Sequence, residues 1–289
     1  MIEGFRRDRR RVGDVEIAYA TAGDGPPLLL LHGYPQSHVM WHRVAPALAR
    51  RFTVVASDLR GYGDSSKPPG SPDHAEYSKR AMAGDQVELM RLLGAGRFRV
   101  AGHDRGARVG HRMALDHPEA VESLAVLDIV PTRHLLENVD QAFATAYYHW
   151  FFLIQPDGLP EAMIGDDPER YLRETLRRWS ARPSAIDERA VAAYLAAFRD
   201  PATIHASCED YRAAASIDLE HDAADRGRRL TCPTLALWGA KGAMGRLYDV
   251  AAIWREYAED LAGASLPCGH FLAEEDPEGT VAALEAFFA

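Results

Sequence analysis

The sequence predicts an α/β protein with a doubly wound, mostly parallel sheet and an inserted helical cap. Short apolar runs rich in Val and Leu alternate with helical patterns through most of its 289 residues, as in parallel strands buried on both faces by crossover helices. The alternation stops between residues 131 and 228, and Pro131 and Pro233 bracket that stretch. Proline cannot extend a strand ladder. We therefore expect a core domain of residues 1–130 and 229–289 and a cap domain of residues 131–228.

Each expected core strand is a short apolar run bounded by turn residues. These strands are placed at residues 27–32, 53–58, 97–103, 124–129, 234–238 and 264–266. The Arg-rich run at residues 6–11 is expected to be a solvated first strand. Residues 78–93 repeat apolar side chains on one helical face and end at Gly94, which is typical of a helix C-terminus. Within the cap, residues 142–153 and 190–198 show helical patterns.

Charge and cysteine content exclude several classes of protein. The net charge of −9 disfavours general binding to nucleic acid or to anionic membranes, which reward an excess of Lys and Arg. The three cysteines are widely spaced and form no CxxC pair, which fits a reducing compartment. The N-terminal residues lack the apolar stretch of a secretory signal. We expect a cytoplasmic protein with no nucleic-acid or membrane partner.

The motif Gly-His-Asp-Arg-Gly at residues 102–106 has the form glycine, any residue, nucleophile, any residue, glycine. The two glycines permit a sharp turn from strand to helix that exposes the middle side chain. Asp104 occupies the nucleophile position. Glycines and aspartates also cluster in ordinary turns, but this motif directly follows an apolar strand and precedes a helical stretch from Ala107. We therefore predict that Asp104 is a nucleophile.

Candidate partners follow in the order expected for a nucleophile, acid and histidine triad. Asp128 lies at the end of a predicted strand, where side chains reach the catalytic edge of an open sheet; Asp116 and Asp140 are less well placed rivals. His270 lies between the last strand and the closing helix. The alternative interpretations are a capping residue for Asp128 and an ordinary loop residue for His270. The predicted catalytic set is Asp104, Asp128 and His270.

An aspartate nucleophile defines the class of reaction. Its carboxylate can displace a leaving group from a saturated carbon and form an ester, which a water activated by His270 then hydrolyses. The backbone amides of Tyr34 and Arg105 are the predicted oxyanion hole for that second step; the alternative for Tyr34 is a simple strand-ending turn. Halide release and epoxide opening both fit this chemistry. Neither a cofactor nor a metal ion is expected.

The chain resembles the epoxide hydrolase and haloalkane dehalogenase branch of the α/β-hydrolases, and is most similar to the fluoroacetate dehalogenases. The resemblance runs over nearly the whole chain and implies the α/β-hydrolase fold. It also implies a homodimer and a small anionic haloacid as substrate. The motifs that carry it lie at residues 32–42, 102–108, 148–150, 208–212 and 269–271.

Two arginines flank the predicted nucleophile. The residue after the nucleophile is typically Trp in haloalkane dehalogenases and most epoxide hydrolases, but here it is Arg105, and Arg108 follows three positions later. Helical residues three apart share a face, so both guanidinium groups can hold one carboxylate by charge-assisted hydrogen bonds. The resemblance implies the same carboxylate clamp. The alternative is that they are surface or ion-paired arginines without a ligand.

His149, Trp150 and Tyr211 match the halide-binding positions of fluoroacetate dehalogenases. An imidazole N–H, an indole N–H and a phenolic O–H can donate hydrogen bonds to a departing halide inside an apolar cap. The alternative is that each is simply part of the cap core. Trp179 is either a residue that narrows the pocket or an ordinary core Trp. The sequence departs from the family at position 34, where Tyr replaces Phe, and at residues 142–146.

Three functions are compatible with these residues. The leading one is hydrolytic dehalogenation of haloacids, fluoroacetate to glycolate and fluoride. The second is epoxide hydrolysis, in which Tyr211, with Tyr147 or Tyr148, would protonate the opening oxygen; Arg105 argues against it, because a neutral epoxide gains little from a guanidinium there. The third is a non-catalytic small-molecule receptor on the same fold, which the intact triad disfavours.

Overall fold

The computed structural model describes residues 2–289. Within them, eight strands form one sheet in the order β1-β2-β4-β3-β5-β6-β7-β8. The strands are β1 (Arg6–Val12), β2 (Val15–Ala22), β3 (Pro27–Leu31), β4 (Thr53–Ser57), β5 (Phe98–His103), β6 (Val121–Leu127), β7 (Thr234–Gly239) and β8 (Leu261–Leu266). Strands β1 and β2 pair antiparallel, and β2 also pairs antiparallel with β4. All other neighbours are parallel.

Helices connect the strands and cover the sheet. They are α1 (Ala45–Leu48), α2 (Lys79–Leu92), α3 (Arg105–Asp116), α4 (Thr132–Glu137), α5 (Gln141–Ala146), α6 (Tyr148–Phe152), α7 (Leu159–Asp166), α8 (Pro168–Trp179), α9 (Glu188–Phe198), α10 (Pro201–Ala214), α11 (Ile217–Ala224), α12 (Ala243–Leu247), α13 (Val250–Arg255), α14 (Leu272–Glu275) and α15 (Pro277–Phe287). None of the helices in residues 2–289 is long and apolar enough to cross a bilayer.

The core lies between the sheet and these helices. Four consecutive leucines of β3, Leu28 to Leu31, are fully buried, as expected for a central parallel strand covered on both faces. The outer strand β1 carries Arg side chains and is mostly exposed. Charged residues on an edge strand discourage pairing with another chain. Ser78 caps the start of α2 by accepting a hydrogen bond from the amide of Ala81.

The predicted strands coincide with β3 to β8, with shifts of up to three residues at their ends. Strand β2 was not predicted, because Val15–Ala22 contains Glu16 and three alanines and lacks a Val- and Leu-rich run. The single helix expected at residues 142–153 is two helices, α5 and α6, interrupted at Tyr147. Helix α3 begins at Arg105 and not at Ala107.

Helices α4 to α11 fill the interval between β6 and β7. They meet the core at the carboxyl ends of the parallel strands, where the amide of His270 donates to the carbonyl of Trp179 at the end of α8. We call these helices the helical insertion. The domain boundaries at 130/131 and 228/229 stay a prediction.

Candidate active site

Asp104 is the single residue between the end of β5 and the start of α3. Its backbone has φ of 46° and ψ of −113°, a strained conformation for a residue with a side chain. Small neighbours make the turn possible: a Cβ on Gly102 would lie 2.5 Å from the carbonyl oxygen of Gly106, and one on Gly106 would lie 2.4 Å from that of His32. The sharp turn therefore lifts the Asp104 carboxylate out of the sheet, and this side chain lines a cavity.

Asp128 and His270 form the hydrogen-bonded pair that the sequence predicted. Nδ1 of His270 lies 2.6 Å from Oδ2 of Asp128. The amide of Gly239, at the end of β7, donates to the other carboxylate oxygen at 2.9 Å. Nε2 of His270 has no protein partner within residues 2–289, and His270 lines the same cavity as Asp104. The structure thus brings the three predicted catalytic residues together.

The amide of Tyr34 donates to Oδ2 of Asp104 at 3.0 Å. Arg105 is the first residue of α3, and the first amides of a helix have no acceptor within that helix. The Tyr34 amide therefore contacts the Asp104 carboxylate, and the Arg105 amide belongs to the next residue of the chain. The hydroxyl of Tyr34 points away from this contact and donates to Tyr171 at 3.2 Å.

The cavity above Asp104 has a volume of about 400 Å³. Its polar interior is formed by Asp104, His149 and His270, and its mouth carries basic side chains. Its other lining residues are Thr145, Ala146, Tyr147, Tyr148, Arg178, Trp179, Ser180, Ala181, Lys241, Gly242, Ala243 and Arg246. Six of these belong to α5, α6 or α8 of the helical insertion or join α5 to α6. The insertion thus forms much of the wall of the site.

Arg105 is fully buried and is held by a carboxylate of the insertion. Its Nε and Nη2 donate to the two carboxylate oxygens of Asp210 at 2.9 and 2.6 Å. Its guanidinium carbon lies 4.1 Å from the ring centroid of Tyr211. Nη1 has no hydrogen-bond partner among the described residues. Arg105 therefore keeps one terminal nitrogen without a protein partner, and neither Arg105 nor Arg108 is among the residues that line the cavity.

Arg108 is also buried, but its protein partners are neutral. Nη1 donates to the carbonyl of Val130 at 2.9 Å and to the hydroxyl of Thr132 at 3.0 Å. The guanidinium carbon lies 4.8 Å from the ring centroid of Trp150, and Nε lacks a partner in residues 2–289. Burial lowers the pKa of Arg108 to about 10, so the group stays charged at neutral pH.

His149, Trp150 and Tyr211 form one aromatic cluster. The ring centroid of Tyr211 lies 5.6 Å from that of His149 and 5.4 Å from that of Trp150. Nδ1 of His149 and the hydroxyl of Tyr211 are buried without a partner in the described chain. Burial lowers the pKa of His149 to about 3, so its ring is neutral and donates one N–H. Trp179 packs on His149 with centroids 4.4 Å apart and lines the cavity.

The charges of the site suit its predicted chemistry. Burial would raise the pKa of Asp104, but the positive charges of His270 and Arg105 outweigh burial and lower it. The Asp104 carboxylate is therefore ionised at neutral pH. Burial would lower the pKa of His270, but the hydrogen bond and charge of Asp128 outweigh burial and raise it. His270 can therefore hold a proton taken from water.

Sequence reasoning missed several residues around the site. Asp210 precedes Tyr211 in a motif that was noticed, yet its ion pair with Arg105 joins positions 105 residues apart. Lys79 contacts the same carboxylate. The hydroxyl of Thr132 accepts a hydrogen bond from Arg108. Lys241 lies at the mouth of the cavity. Of these residues, only Asp210 could have been suspected from the sequence, because it is an acidic residue next to the predicted halide donor Tyr211.

Comparisons with known proteins agree with this geometry. A family model described as the alpha/beta hydrolase fold matches residues 26–277. A Burkholderia sp. protein named fluoroacetate dehalogenase is 51% identical over 290 residues, which cover 100% of this chain and 95% of the relative. A soluble epoxide hydrolase from Corynebacterium sp. is 36% identical and covers 100% of this chain and 96% of the relative.

A solved structure from Nostoc sp. PCC 7120, described as an alpha/beta hydrolase, superposes with a TM-score of 0.99 at 59% identity. That superposition covers 100% of this chain and 99% of the other. The expected fold and family resemblance are thus confirmed. The chain belongs to the alpha/beta hydrolase family.

Proposed function

We propose that the protein is a hydrolytic dehalogenase that converts fluoroacetate, or a related small haloacid, to glycolate and halide. One observation carries the proposal: two buried arginines, each with an unpaired donor, flank an aspartate at the nucleophile position. A carboxylate on the substrate would satisfy both donors, whereas a neutral epoxide would leave Arg108, whose hydrogen-bond partners are neutral, without a counter-ion. The similarity to a fluoroacetate dehalogenase over the full chain supports the same function.

In the first step Asp104 attacks the carbon that bears the halogen. The Tyr34 amide already occupies Oδ2, so Oδ1 forms the new C–O bond while the carbon–halogen bond breaks and halide leaves with the electron pair. Fluoride is a poor leaving group, so its developing charge needs preorganised donors. His149, Trp150 and Tyr211 supply them, and Arg105 and Arg108 hold the substrate carboxylate.

In the second step water hydrolyses the ester. Nε2 of His270 takes a proton from water, whose oxygen attacks Cγ of Asp104. Negative charge builds on Oδ2, next to the amides of Tyr34 and Arg105. Asp128 stabilises the protonated imidazole across the 2.6 Å contact. Collapse of the intermediate breaks the bond between Cγ and Oδ1, the departing oxygen takes the proton from His270 to give glycolate, and one water-derived oxygen stays on Asp104.

The setting of the enzyme is part of the same proposal. The three cysteines are free and form no disulfide within the described chain, which fits a reducing cytoplasm. The resemblance to dehalogenases supports a homodimer. The helical insertion acts as the cap of the active site, since it contributes His149, Trp179 and Tyr211. The chemistry draws on side chains and backbone amides and uses no cofactor.

Fluoride release from fluoroacetate, followed with an ion-selective electrode, tests the proposal. Wild type should release fluoride continuously. His270→Ala should release about one fluoride per active site and then stop, and mass spectrometry should find a carboxymethyl ester on Asp104. Asp104→Asn should release none at early times, before deamidation restores the acid.

Two other outcomes would change the assignment. Chloride release from chloroacetate without fluoride release would keep the mechanism and restrict the halide. Diol formation from neutral epoxides, with no halide release from any haloacetate, would overturn the proposal in favour of epoxide hydrolysis.

A further inference from the structure

Asp210 places a buried negative charge at the contact between the helical insertion and the core. It lies in α10 and is fully buried. Its carboxylate accepts hydrogen bonds from Nε and Nη2 of Arg105, and its backbone carbonyl accepts a third bond, from Nη2 at 2.8 Å. One edge of the guanidinium is thereby occupied. The nitrogen left over, Nη1, is the only one of the three that lacks a partner in residues 2–289.

Other core residues fix Asp210 in turn. The hydroxyl of Tyr62 donates to its Oδ2 at 2.7 Å. The ammonium of Lys79 contacts its Oδ1 and lies 3.7 Å from Asp218. Burial would raise the pKa of Asp210, but the charges of Arg105 and Lys79 outweigh burial and hold it below the usual range. The carboxylate is therefore ionised and cannot rotate freely.

The charges in this cluster balance. Arg105 and Lys79 are two cations, and Asp210 and Asp218 are two carboxylates. Arg108, in contrast, donates to a neutral carbonyl and a neutral hydroxyl. Arg108 thus carries a positive charge to which no carboxylate is hydrogen-bonded, whereas the charge of Arg105 is largely offset by Asp210.

We propose that Asp210 is a positioning residue for the dehalogenation reaction: it holds Arg105 so that Nη1 orients the substrate carboxylate, and it leaves Arg108 to supply the attractive charge. Because Tyr211 follows Asp210 on α10, the same segment fixes the direction of the clamp and the position of a halide donor. The reacting carbon is thereby held between Asp104 and the halide site. This inference rests on the proposed function.

Steady-state kinetics of Asp210→Asn with fluoroacetate or chloroacetate test it. The variant keeps the shape of the side chain but removes the charge that orients Arg105. A freed Arg105 still attracts a carboxylate, so KM should change by less than about threefold, whereas loss of alignment should lower kcat by roughly 10- to 100-fold. Asp210→Glu, which restores a carboxylate, should recover part of kcat. A kcat of Asp210→Asn within about twofold of wild type would overturn the inference.

Asp218→Asn is the matched control. This variant removes the same charge from the same buried cluster. Asp218, however, contacts Lys79 and not Arg105. If the cluster only fastens the insertion to the core, the two variants should show the same loss of melting temperature and the same kcat. The inference requires that only Asp210→Asn lowers kcat in folded protein.

Tyr62→Phe is a second variant that tests the same inference if Asp210→Asn does not fold. It removes one hydrogen bond from Asp210 without changing any charge. A severalfold lower kcat at constant KM supports the inference, and unchanged kinetics overturn it. Wild type is assayed first: absence of halide release there refutes the proposed function, whereas active wild type with normal variants refutes only the role of Asp210.

Discussion

The backbone amide of Tyr34 donates a hydrogen bond to Oδ2 of Asp104 across 3.0 Å. One carboxylate oxygen of Asp104 is therefore held in place, and in the proposed mechanism it becomes the carbonyl oxygen of the ester intermediate. The other oxygen is left to attack the substrate. If Oδ1 forms the ester and water then hydrolyses it at Cγ, the water oxygen replaces Oδ1, so the reaction should exchange an oxygen of Asp104 with water.

A single turnover in heavy-oxygen-labelled water should place the label on Asp104 and not in the product. Hydrolysis at Cγ of the ester gives the new oxygen to the enzyme and the old Asp104 oxygen to glycolate. Peptide mass spectrometry locates the label. Label in glycolate after one turnover, with Asp104 unlabelled, would show that water attacks the substrate carbon directly.

Replacement of Arg108 by Gln and replacement of Arg105 by Gln should change different kinetic constants. Arg108 has no carboxylate partner among the described residues, so Arg108→Gln should cost about 2 kcal/mol of substrate binding and raise KM roughly 30-fold. Arg105→Gln should mainly lower kcat, since Asp210 already offsets its charge. Steady-state kinetics with chloroacetate separate the two.

Arg112→Gln serves as the control for both arginine variants. Arg112 is buried on the same helix, one turn further along, and pairs with Asp116 and Asp225. It should lower the melting temperature without changing KM. A similar KM increase in all three variants would mean that the effect is loss of structure and not loss of a clamp.

The pH dependence should separate the two chemical steps. The pKa of His270 lies above 6.5 because Asp128 outweighs burial, and ester hydrolysis needs the neutral ring. The turnover rate should therefore fall as pH drops through that pKa. Halide release in the first turnover should stay constant, because Asp104 has a lowered pKa and remains ionised.

Other titratable groups that face His270 do not explain such a change. Burial lowers the pKa of both His103 and His149 to about 3, so both stay neutral in this range. Asp128→Asn should shift the acidic limb to lower pH as well as reduce kcat, because it removes the partner that raises the pKa of His270. If the acidic limb of the Asp128→Asn profile stays at the wild-type pH, a group other than His270 causes the pH dependence.

The mouth of the cavity should make substrate capture depend on salt. Lys241 and Arg246 are exposed there, and charges of this kind steer anions over about 10 Å at 0.1 M salt. The double variant Lys241→Gln, Arg246→Gln should lower kcat/KM severalfold at low ionic strength, flatten its salt dependence and leave kcat unchanged. Gln at Arg50 and Arg97, exposed outside the cavity lining, should change none of these.

The sequence predicted the site better where its residues depend on local structure. Glycines around Asp104 and the end of β6 at Leu127 are local signals, and they led to the turn at Asp104 and to Asp128, which pairs with His270. The distribution of charge was harder to predict. Whether Arg105 faces a ligand or a carboxylate depends on where the fold places Asp210 of α10. No periodicity in the sequence encodes that contact.

The pH dependence of stability should be set in part by Glu274, a buried carboxyl four residues after His270. Tyr194 donates to it at 2.9 Å, and burial raises its pKa to about 8. The folded state therefore keeps this proton up to about pH 8, whereas the unfolded chain releases it near 4.5. Between these values the unfolded state binds fewer protons, so stability must fall as pH rises.

Glu274→Gln removes this titration while it keeps the size and a hydrogen-bond acceptor. Thermal melting from about pH 5 to about pH 8 should show wild type losing roughly 2–4 °C relative to the variant for each kcal/mol of charging cost. Glu278→Gln, at an exposed position on α15, should follow wild type throughout. Parallel melting curves for wild type and Glu274→Gln would show that the carboxyl is already ionised in the folded protein and that its donors, the Tyr194 hydroxyl and the side-chain amide of Gln36, compensate for burial.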